Sequence, residues 1–338
     1  MKPEKKLLIT FDYELFLGEK SGTVKNCLIS PTNELSLKLN EFGIKGIFFV
    51  DTLFLWALKS KLNDSKARQD FEMLKTQLSG LYQQGHYIYP HIHPHWLDAK
   101  YQTDSGMWKL SDISKYRFEA LSDSEKSQVF SYSDEILKEV LDDNGYRMDA
   151  YRAGGWSIQP FKDFQPFFEK YNIKADFTVL GKAHRNTNAS VYDFRTIPVA
   201  ENPYRFSKSV TIKVPEGQYW EFPISSIEFN SEAFTNKLVR KVLWKTKAGQ
   251  NLGDGIGVQF QDMGEVEKSE FEMVSIELLT TNKLKLYLHY LDQNEYMQFI
   301  CHPKMVSPHN LKMFSKFLTR AFKRYEIISD WKEMIRES

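Results

Sequence analysis

The chain has few cysteines, no long apolar run and almost no net charge. Two cysteines, Cys27 and Cys301, are too few among 338 residues to form a disulfide scaffold, which favours an intracellular protein. The longest apolar stretch, Gly46 to Leu58, is interrupted by Asp51 and is too short to span a bilayer. The apolar run from Leu7 to Phe11 is likewise too short for a secretory signal. We therefore expect a soluble, cytoplasmic protein.

The charge balance excludes one class of partner. The 45 Lys and Arg residues are matched by 44 Asp and Glu residues, which gives a net charge of +1. A general nucleic-acid-binding protein would carry a marked basic excess, so we expect no nucleic-acid partner. The remaining composition lies near the globular average, with 42% hydrophobic and 26% charged residues, and this excludes wholesale disorder.

Apolar runs typical of buried strands alternate with helical segments along the chain. The predicted strands are Leu7–Phe11, Gly46–Val50, His86–His91, Asp149–Arg152, Asp176–Leu180, Tyr219–Ile224 and Met297–Cys301. The predicted helices are Pro31–Phe42, a helix-rich stretch ending near Gln84, Asp123–Asp143, Phe161–Tyr171 and His309–Arg324. This alternation predicts an α/β fold with a parallel sheet. We favour a single (β/α) barrel domain over residues 1–338 with fewer than eight strands, and an open doubly wound sheet is the alternative. Residues 228–293 are the least regular and are predicted to be an insertion.

Polar side chains follow several predicted strands. Asp12, Asp51, His91, Arg152 and His302 all come where a strand ends. Because the site of a (β/α) barrel forms at the carboxyl ends of its strands, we expect the chemistry there.

The densest group of candidate ligands is the segment His91 to Trp96, which reads HIHPHW. Neutral imidazole is the commonest metal ligand, and three imidazoles within five residues are costly to bury without a bound group. Pro94 fits the first turn of a helix, which would place His91 at the strand end and His95 one turn further on, facing one point. The segment therefore predicts a metal site.

Two acidic residues and an arginine complete the candidate set. Asp12 and Glu14 point the same way after the first strand, so that one could complete a metal site and the other could serve as a general base. Arg152 can keep a carboxylate ionised. The glycines that follow it, Gly154 and Gly155, allow close backbone approach, which suits an N–H group that stabilises an oxyanion.

Together these segments resemble the polysaccharide deacetylases, also called NodB-homology or carbohydrate esterase family 4 proteins. Thr10 to Asp12 is similar to the start of the family's Thr-Phe-Asp-Asp motif, and Gly85 to His95 is similar to its histidine segment. Arg152 resembles the arginine of its third motif, and His302 resembles the histidine of its last motif. The fuller phrases resemble a subgroup associated with bacterial surface-polysaccharide gene clusters.

The resemblance implies a metal-dependent amide hydrolase on a distorted (β/α) barrel of about seven strands. It implies Asp12 as the catalytic base, Arg152 as the residue that holds this base, and His302 as the general acid that protonates the leaving amine. It also implies His91 and His95 as ligands of one divalent ion, for which zinc is the usual expectation and other divalent ions are accepted.

The chain departs from the family at the third metal ligand. The family has a second Asp directly after the first, whereas Tyr13 stands there in this chain. We predict Glu14 as the third ligand, and the reverse assignment of Asp12 and Glu14 stays open. His93 is an additional imidazole that could substitute for either of its neighbouring histidines.

The expected substrate is an N-acetylated sugar, met in the cytoplasm as a nucleotide-activated or lipid-linked intermediate of surface-glycan synthesis. Trp96, Trp156 and Trp220 could stack on sugar rings, and the backbone N–H of Gly155 or Trp156 is the candidate oxyanion donor. For each tryptophan, core packing is the competing interpretation.

Two basic amphipathic stretches predict either barrel helices or a peripheral membrane contact. The first contains Lys237, Arg240, Lys241, Lys245 and Lys247 opposite Phe234, Leu238 and Val242. The second contains Lys312, Lys316, Arg320, Lys323 and Arg324 opposite Phe314, Leu318 and Phe322. We favour barrel helices.

Two other functions stay open on the sequence. His91 and His93 form a His-x-His pair of the kind that amidohydrolase and phosphoesterase barrels use, although their pair usually follows the first strand. The missing second Asp also allows a non-catalytic relative that binds glycan or scaffolds a biosynthetic complex.

Overall fold

The structure is a computed structural model, which describes residues 2–18, 20–110, 114–187, 190–228, 239–257 and 271–336. Its strands are β1 Glu4–Tyr13, β2 Ile47–Asp51, β3 Tyr87–Ile92, β4 Lys100–Gln102, β5 Met107–Lys109, β6 Ala150–Ala153, β7 Ala175–Asp176, β8 His184–Asn186, β9 Val191–Asp193, β10 Tyr204–Phe206, β11 Tyr219–Glu221, β12 Ser226–Glu228, β13 Phe271–Met273, β14 Tyr296–Cys301 and β15 Glu326–Ile328. Its helices are α1 Ser30–Glu41, α2 Thr52–Lys59, α3 Ser65–Gln83, α4 Asp123–Leu141, α5 Gln165–Tyr171, α6 Thr281–Gln293, α7 Pro308–Arg324 and α8 Trp331–Met334.

The main sheet winds in one direction. Its strand order is β10-β11-β7-β6-β3-β2-β1-β14, and every neighbouring pair is parallel except β10 with β11. A doubly wound sheet would reverse direction beside its first strand, whereas here β14 lies next to β1 and completes the sequence of strands. Seven parallel strands follow one another in this way, so the predicted (β/α) barrel-type sheet is confirmed.

The far end of the sheet bends back toward β14. The Val274 N–H donates to the Ser225 carbonyl at 2.8 Å, and the Ile300 N–H of β14 donates to the Val274 carbonyl at 3.1 Å. These bonds connect the segment after β11 with the last parallel strand, and the sheet is therefore strongly curled.

The alternation of β1 divides the core into two layers. Leu7, Ile9 and Phe11 belong to the large cluster that includes the helices. Leu8, on the opposite face, belongs to a smaller cluster, which Trp331 of α8 also joins. Because parallel strands are covered on both faces, both sets of side chains are buried. Thr10 and Asp12 share the face of Leu8 and lie closer to the carboxyl end of β1, where the site is.

Three predicted elements are shorter in the structure. Helix α5 begins only at Gln165, with a 3₁₀ turn over Phe161–Asp163 in front of it. Strand β7 ends at Asp176 because the Thr178 hydroxyl takes over the local hydrogen bonding. It donates to the Asp176 carboxylate at 2.7 Å and accepts the Ala153 N–H at 2.9 Å. Strand β11 likewise ends at Glu221.

The described part of residues 228–293 contains β13 and α6, and α6 packs against β14 and α7. The domain boundaries and the insertion stay predictions. Phe234, Lys237 and Leu238, predicted to lie on an amphipathic helix, fall outside the described residues. Among the residues that the structure describes, no helix has the length and apolar character required to cross a membrane.

Candidate metal and acid–base site

Asp12 lies at the end of β1 and is held by Arg152 at the end of β6. Arg152 Nη1 lies 2.5 Å from Asp12 Oδ1, while its Nη2 donates to the Thr10 hydroxyl at 2.8 Å and its Nε donates to the Phe177 carbonyl at 2.9 Å. Burial would raise the pKa of Asp12, but the positive charges of the arginine and two nearby histidines outweigh burial and lower the pKa. The Asp12 carboxylate is therefore held ionised.

His91 is oriented by a backbone carbonyl of the neighbouring strand. Its Nδ1 lies 2.9 Å from the Arg152 carbonyl, an obligatory acceptor, so Nδ1 carries the proton. Nε2 is then the free nitrogen, and it lies 3.5 Å from Glu14 Oε2. A second partner that fixes the tautomer in this way is typical of metal-ligating histidines.

Glu14 and His93 complete a compact set of ligand atoms with His91. His93 Nε2 lies 2.7 Å from Glu14 Oε2 and 3.0 Å from His91 Nε2. Within the described residues these three side chains form a group whose ligand atoms all lie within 4.8 Å of one another. Strand alternation explains the pair of histidines, because His93 continues the extended backbone of β3 and shares a face with His91.

The donor set fits a divalent ion. Two imidazole nitrogens and one carboxylate oxygen are the ligand types of catalytic zinc sites, which keep a further position open. Burial lowers the pKa of His91, but the Asp12 and Glu14 carboxylates outweigh burial and raise it. A proton and a metal ion therefore compete for Nε2 of His91.

His95 lies outside this group of ligand atoms. Its ring stacks on Tyr116, with centroids 5.2 Å apart, and its buried Nδ1 has no hydrogen-bond partner among the described residues. The turn after Pro94 is a 3₁₀ turn rather than the start of an α-helix. The predicted role of His95 as a ligand stays a prediction, and His93 is the second imidazole beside Glu14.

His302 faces Asp12 from the end of β14. Its Nε2 lies 3.7 Å from Asp12 Oδ2 and 3.7 Å from Glu14 Oε1, and its Nδ1 lies 2.9 Å from Glu277 Oε1. Burial lowers the pKa of His302, but Glu277 and the two other carboxylates outweigh burial and raise it. This arrangement favours a protonated imidazole beside an ionised carboxylate.

Lys304 neutralises the other oxygen of Glu14. Its Nζ donates to Glu14 Oε1 at 2.8 Å and to the Leu15 carbonyl at 2.7 Å, and its side chain is buried. Burial would raise the pKa of Glu14, but Lys304 and the histidines outweigh burial, and the pKa lies well below its usual range. Each carboxylate of the site is thus paired with one buried cation.

The glycines after Arg152 permit the close approach of the β3 turn. A Cβ on Gly154 would lie 2.4 Å from the Ile92 carbonyl oxygen and 2.8 Å from His93 Nδ1. Gly155 has a φ of 59°, and a Cβ there would meet Tyr116 at 2.8 Å. Both positions therefore require glycine for packing around the histidines.

The structure separates the three candidate tryptophans. Trp96 is buried and its indole N–H donates to the Asp51 carboxylate, so it anchors the histidine turn. Trp156 is partly buried against Tyr192, beside the glycine turn. Trp220 packs against the smaller cluster that contains Leu8 and Trp331, and the structure does not bring it to this site.

Sequence reasoning missed Glu277 and Lys304 as members of the site. Lys304 stands two residues after His302, whereas Glu277 lies in the range predicted to be an insertion. Spacing from His302 gave no signal for Glu277, because the chain passes through all of α6 between them.

No family model and no curated protein sequence matches the chain. A solved structure described as a polysaccharide deacetylase from Mycobacterium smegmatis is 15% identical, with 99% of this chain and 90% of that chain covered and a TM-score of 0.49. The polysaccharide deacetylase Bc1974 from Bacillus cereus is 11% identical, with 97% and 93% covered and a TM-score of 0.40. The α-amylase AmyC from Thermotoga maritima is 9% identical, with 100% and 75% covered and a TM-score of 0.49. These TM-scores lie below 0.5 and the enzymes differ in activity, so the matches assign neither a family nor a reaction to this chain.

Proposed function

We propose that this protein is a metal-dependent hydrolase that removes an N-acetyl or related acyl group from a sugar. The observation that carries the proposal is the meeting of three chemical units at one end of the sheet. These are the Asp12 carboxylate held by Arg152, the Glu14–His91–His93 donor set, and His302 backed by Glu277. The motif resemblance and this grouping point to the same reaction class.

The acid–base steps follow from the protonation states of the two catalytic candidates. Asp12 is ionised and accepts the proton of the water that attacks the acyl carbonyl. His302 carries a proton on Nε2 and donates it to the amine nitrogen as the carbon–nitrogen bond breaks. The products are a carboxylate and a free amino sugar. Asp12 then gives up the proton that it took from water and His302 regains one, which restores both groups for the next turnover.

Glu14, His91 and His93 are the residues that would hold a divalent ion, for which Zn²⁺ suits the ligand types best. Such an ion supplies Lewis acidity toward the carbonyl and the attacking water. The Gly155 or Trp156 N–H stays the candidate for further stabilisation of the oxyanion.

The substrate class rests on the sequence. The subgroup resemblance favours a sugar of surface-polysaccharide or glycolipid synthesis, carried by a nucleotide or a lipid. Because we expect a cytoplasmic protein, the substrate is an intermediate rather than the finished polymer.

A second candidate function has one observation in its favour. His91 and His93 both contribute to the ligand group, as a His-x-His metallohydrolase of the amidohydrolase or phosphoesterase type would require. The base–acid pair of Asp12 and His302 favours the deacetylase. A non-catalytic glycan-binding or scaffolding role would require neither the ion nor the acid–base pair.

The decisive experiment combines metal analysis with a substrate screen. Wild-type protein should hold about one divalent ion per chain and release acetate from an N-acetylated nucleotide sugar or lipid-linked sugar. His93→Ala should lose the ion, Asp12→Asn should lose activity, and His95→Ala should retain the ion. Retention by His93→Ala and loss by His95→Ala would restore the ligand pair predicted from the sequence. Metal-bound protein that cleaves phosphate esters or cyclic amides, but no N-acetyl sugar, would favour the second candidate.

A further inference from the structure

One part of the surface combines basic and apolar side chains. In the segment 239–247, Val242 is 67% exposed and Trp244 is 64% exposed. Arg240, Lys241, Lys245 and Lys247 flank them, and the sequence has no acidic residue from there to Gly253. Large apolar side chains of this exposure are few among the described residues, and only these two lie two positions apart between basic residues.

The beginning of α7 extends this surface. The His309 N–H donates to the Ala248 carbonyl at 2.9 Å, which ties the segment to the first turn of α7. Lys312 and Lys316 are exposed, and their charges, after burial, lower the pKa of the neighbouring His309. The apolar face of α7, with Phe314 as one member, is buried in the core, so α7 contributes charge and no apolar anchor.

We propose that this surface docks the protein on an anionic phospholipid bilayer. We call it the basic patch and define it as Arg240, Lys241, Val242, Trp244, Lys245, Lys247, Lys312 and Lys316. Tryptophan prefers the interface between head groups and acyl chains, and each lysine or arginine near an anionic surface adds attraction. A nucleic acid would pair with the charges but would leave the aliphatic Val242 without a partner.

Docking would also orient the acid–base site. Leu243 and Trp244 line a cavity of about 320 Å³ whose lining also includes Met305 and Glu277. Glu277 is the partner of His302. Docking through the basic patch would therefore place this cavity close to the lipid head groups. A lipid-linked sugar could then reach the acid–base site through the cavity. This last step rests on the proposed function, whereas the docking itself does not.

The test is co-sedimentation of the purified full-length protein with vesicles at low salt, without any substrate. Wild-type protein should sediment with vesicles that contain phosphatidylglycerol and stay in solution with phosphatidylcholine alone. The double variant Lys241→Gln/Lys245→Gln should lower the partition coefficient roughly 30-fold, given the usual attraction per basic residue. The matched control Lys162→Gln/Lys208→Gln removes two exposed lysines elsewhere and should bind like wild type.

The apolar part has its own matched pair. Trp244→Ser should weaken vesicle binding, whereas Ile212→Ser, at a residue that is 62% exposed, should not. Equal losses in both members of either pair would overturn the docking surface, as would absence of sedimentation or binding to RNA in place of vesicles. Because vesicle binding is measured without turnover, failure here leaves the deacetylase proposal standing, and absence of deacetylation leaves the docking standing.

Discussion

His91 lies at the end of strand β3 and His302 directly follows strand β14. The Nδ1 atom of each lies 2.9 Å from an oxygen acceptor, but the two acceptors differ. The acceptor of His91 is the neutral carbonyl of Arg152, whereas the acceptor of His302 is the carboxylate of Glu277. A neutral carbonyl fixes the tautomer and leaves Nε2 free for a metal ion. An anionic acceptor stabilises the imidazolium, so that Nε2 carries a proton. The partner of Nδ1 therefore suits His91 to the proposed metal ligation and His302 to the proposed proton donation.

The largest expected effect comes from removing each histidine in turn. His91→Ala should lose both the bound ion and the activity, because it removes a ligand atom from the group with Glu14 and His93. His302→Ala should keep the ion and lose activity by about a hundredfold or more, which is the usual contribution of a general acid. Metal content by elemental analysis and initial rates on the same preparations separate the two roles. Loss of the ion from His302→Ala would contradict the assignment of different roles to His91 and His302.

An intermediate effect is expected from the charge of Glu277. Glu277→Gln retains an oxygen for the His302 Nδ1–H but removes the negative charge that raises the pKa of His302. A lower pKa means that the protonated acid is lost at a lower pH, so the alkaline limb of the activity profile should move toward acid. We expect about a tenfold loss near neutral pH and little change at the acidic limb, where Asp12 titrates.

Metal content is the control for Glu277→Gln, because the variant leaves the three ligand side chains intact. A fall in activity by the same factor at every pH would mean that Glu277 positions the ring without tuning its proton affinity. An unchanged profile would remove Glu277 from the mechanism.

The sequence predicted the part of the site that depends on the order of strands along the chain. Strand ends carry Asp12, His91, Arg152 and His302, and the parallel order of β14, β1, β3 and β6 brings them together without further information. For the second imidazole beside His91 the resemblance implied His95, whereas in the structure His93 lies with His91 and Glu14. That choice depends on whether the chain after His93 turns as an α-helix or as a 3₁₀ turn, and Pro94 is compatible with both.

The partners of the catalytic candidates were harder to predict because they come from distant parts of the chain. Glu277 reaches His302 only because Val274 bonds to the Ile300 backbone and sets that segment beside β14. Residues 274–280 form neither a regular strand nor a helix, so no periodic pattern of hydrophobic residues predicts this contact. The contact between Glu277 and His302 is created by the curl of the sheet, and the spacing of residues along the chain therefore does not predict it.

The smallest expected effect concerns Lys304, which shares Glu14 with the donor set. Lys304→Met keeps the length of the side chain next to Phe16 but removes the ammonium 2.8 Å from Glu14 Oε1. The freed carboxylate charge should then bind a divalent ion more tightly, by about tenfold, which is opposite in direction to the usual loss when a partner of a metal ligand is removed. Competition with a chelator measures this affinity without turnover.

The metal-free variant should unfold at a lower temperature than metal-free wild type, since a buried carboxylate loses its cation, and added metal should restore more stability than in wild type. Lys66→Met, which removes an ammonium from Asp70 on α3, is the matched control and should leave metal affinity unchanged. Weaker binding by Lys304→Met would mean that the lysine orients Glu14 for ligation, and the Glu14 side of the site would then follow the rule seen for His91, in which a second partner fixes the ligand.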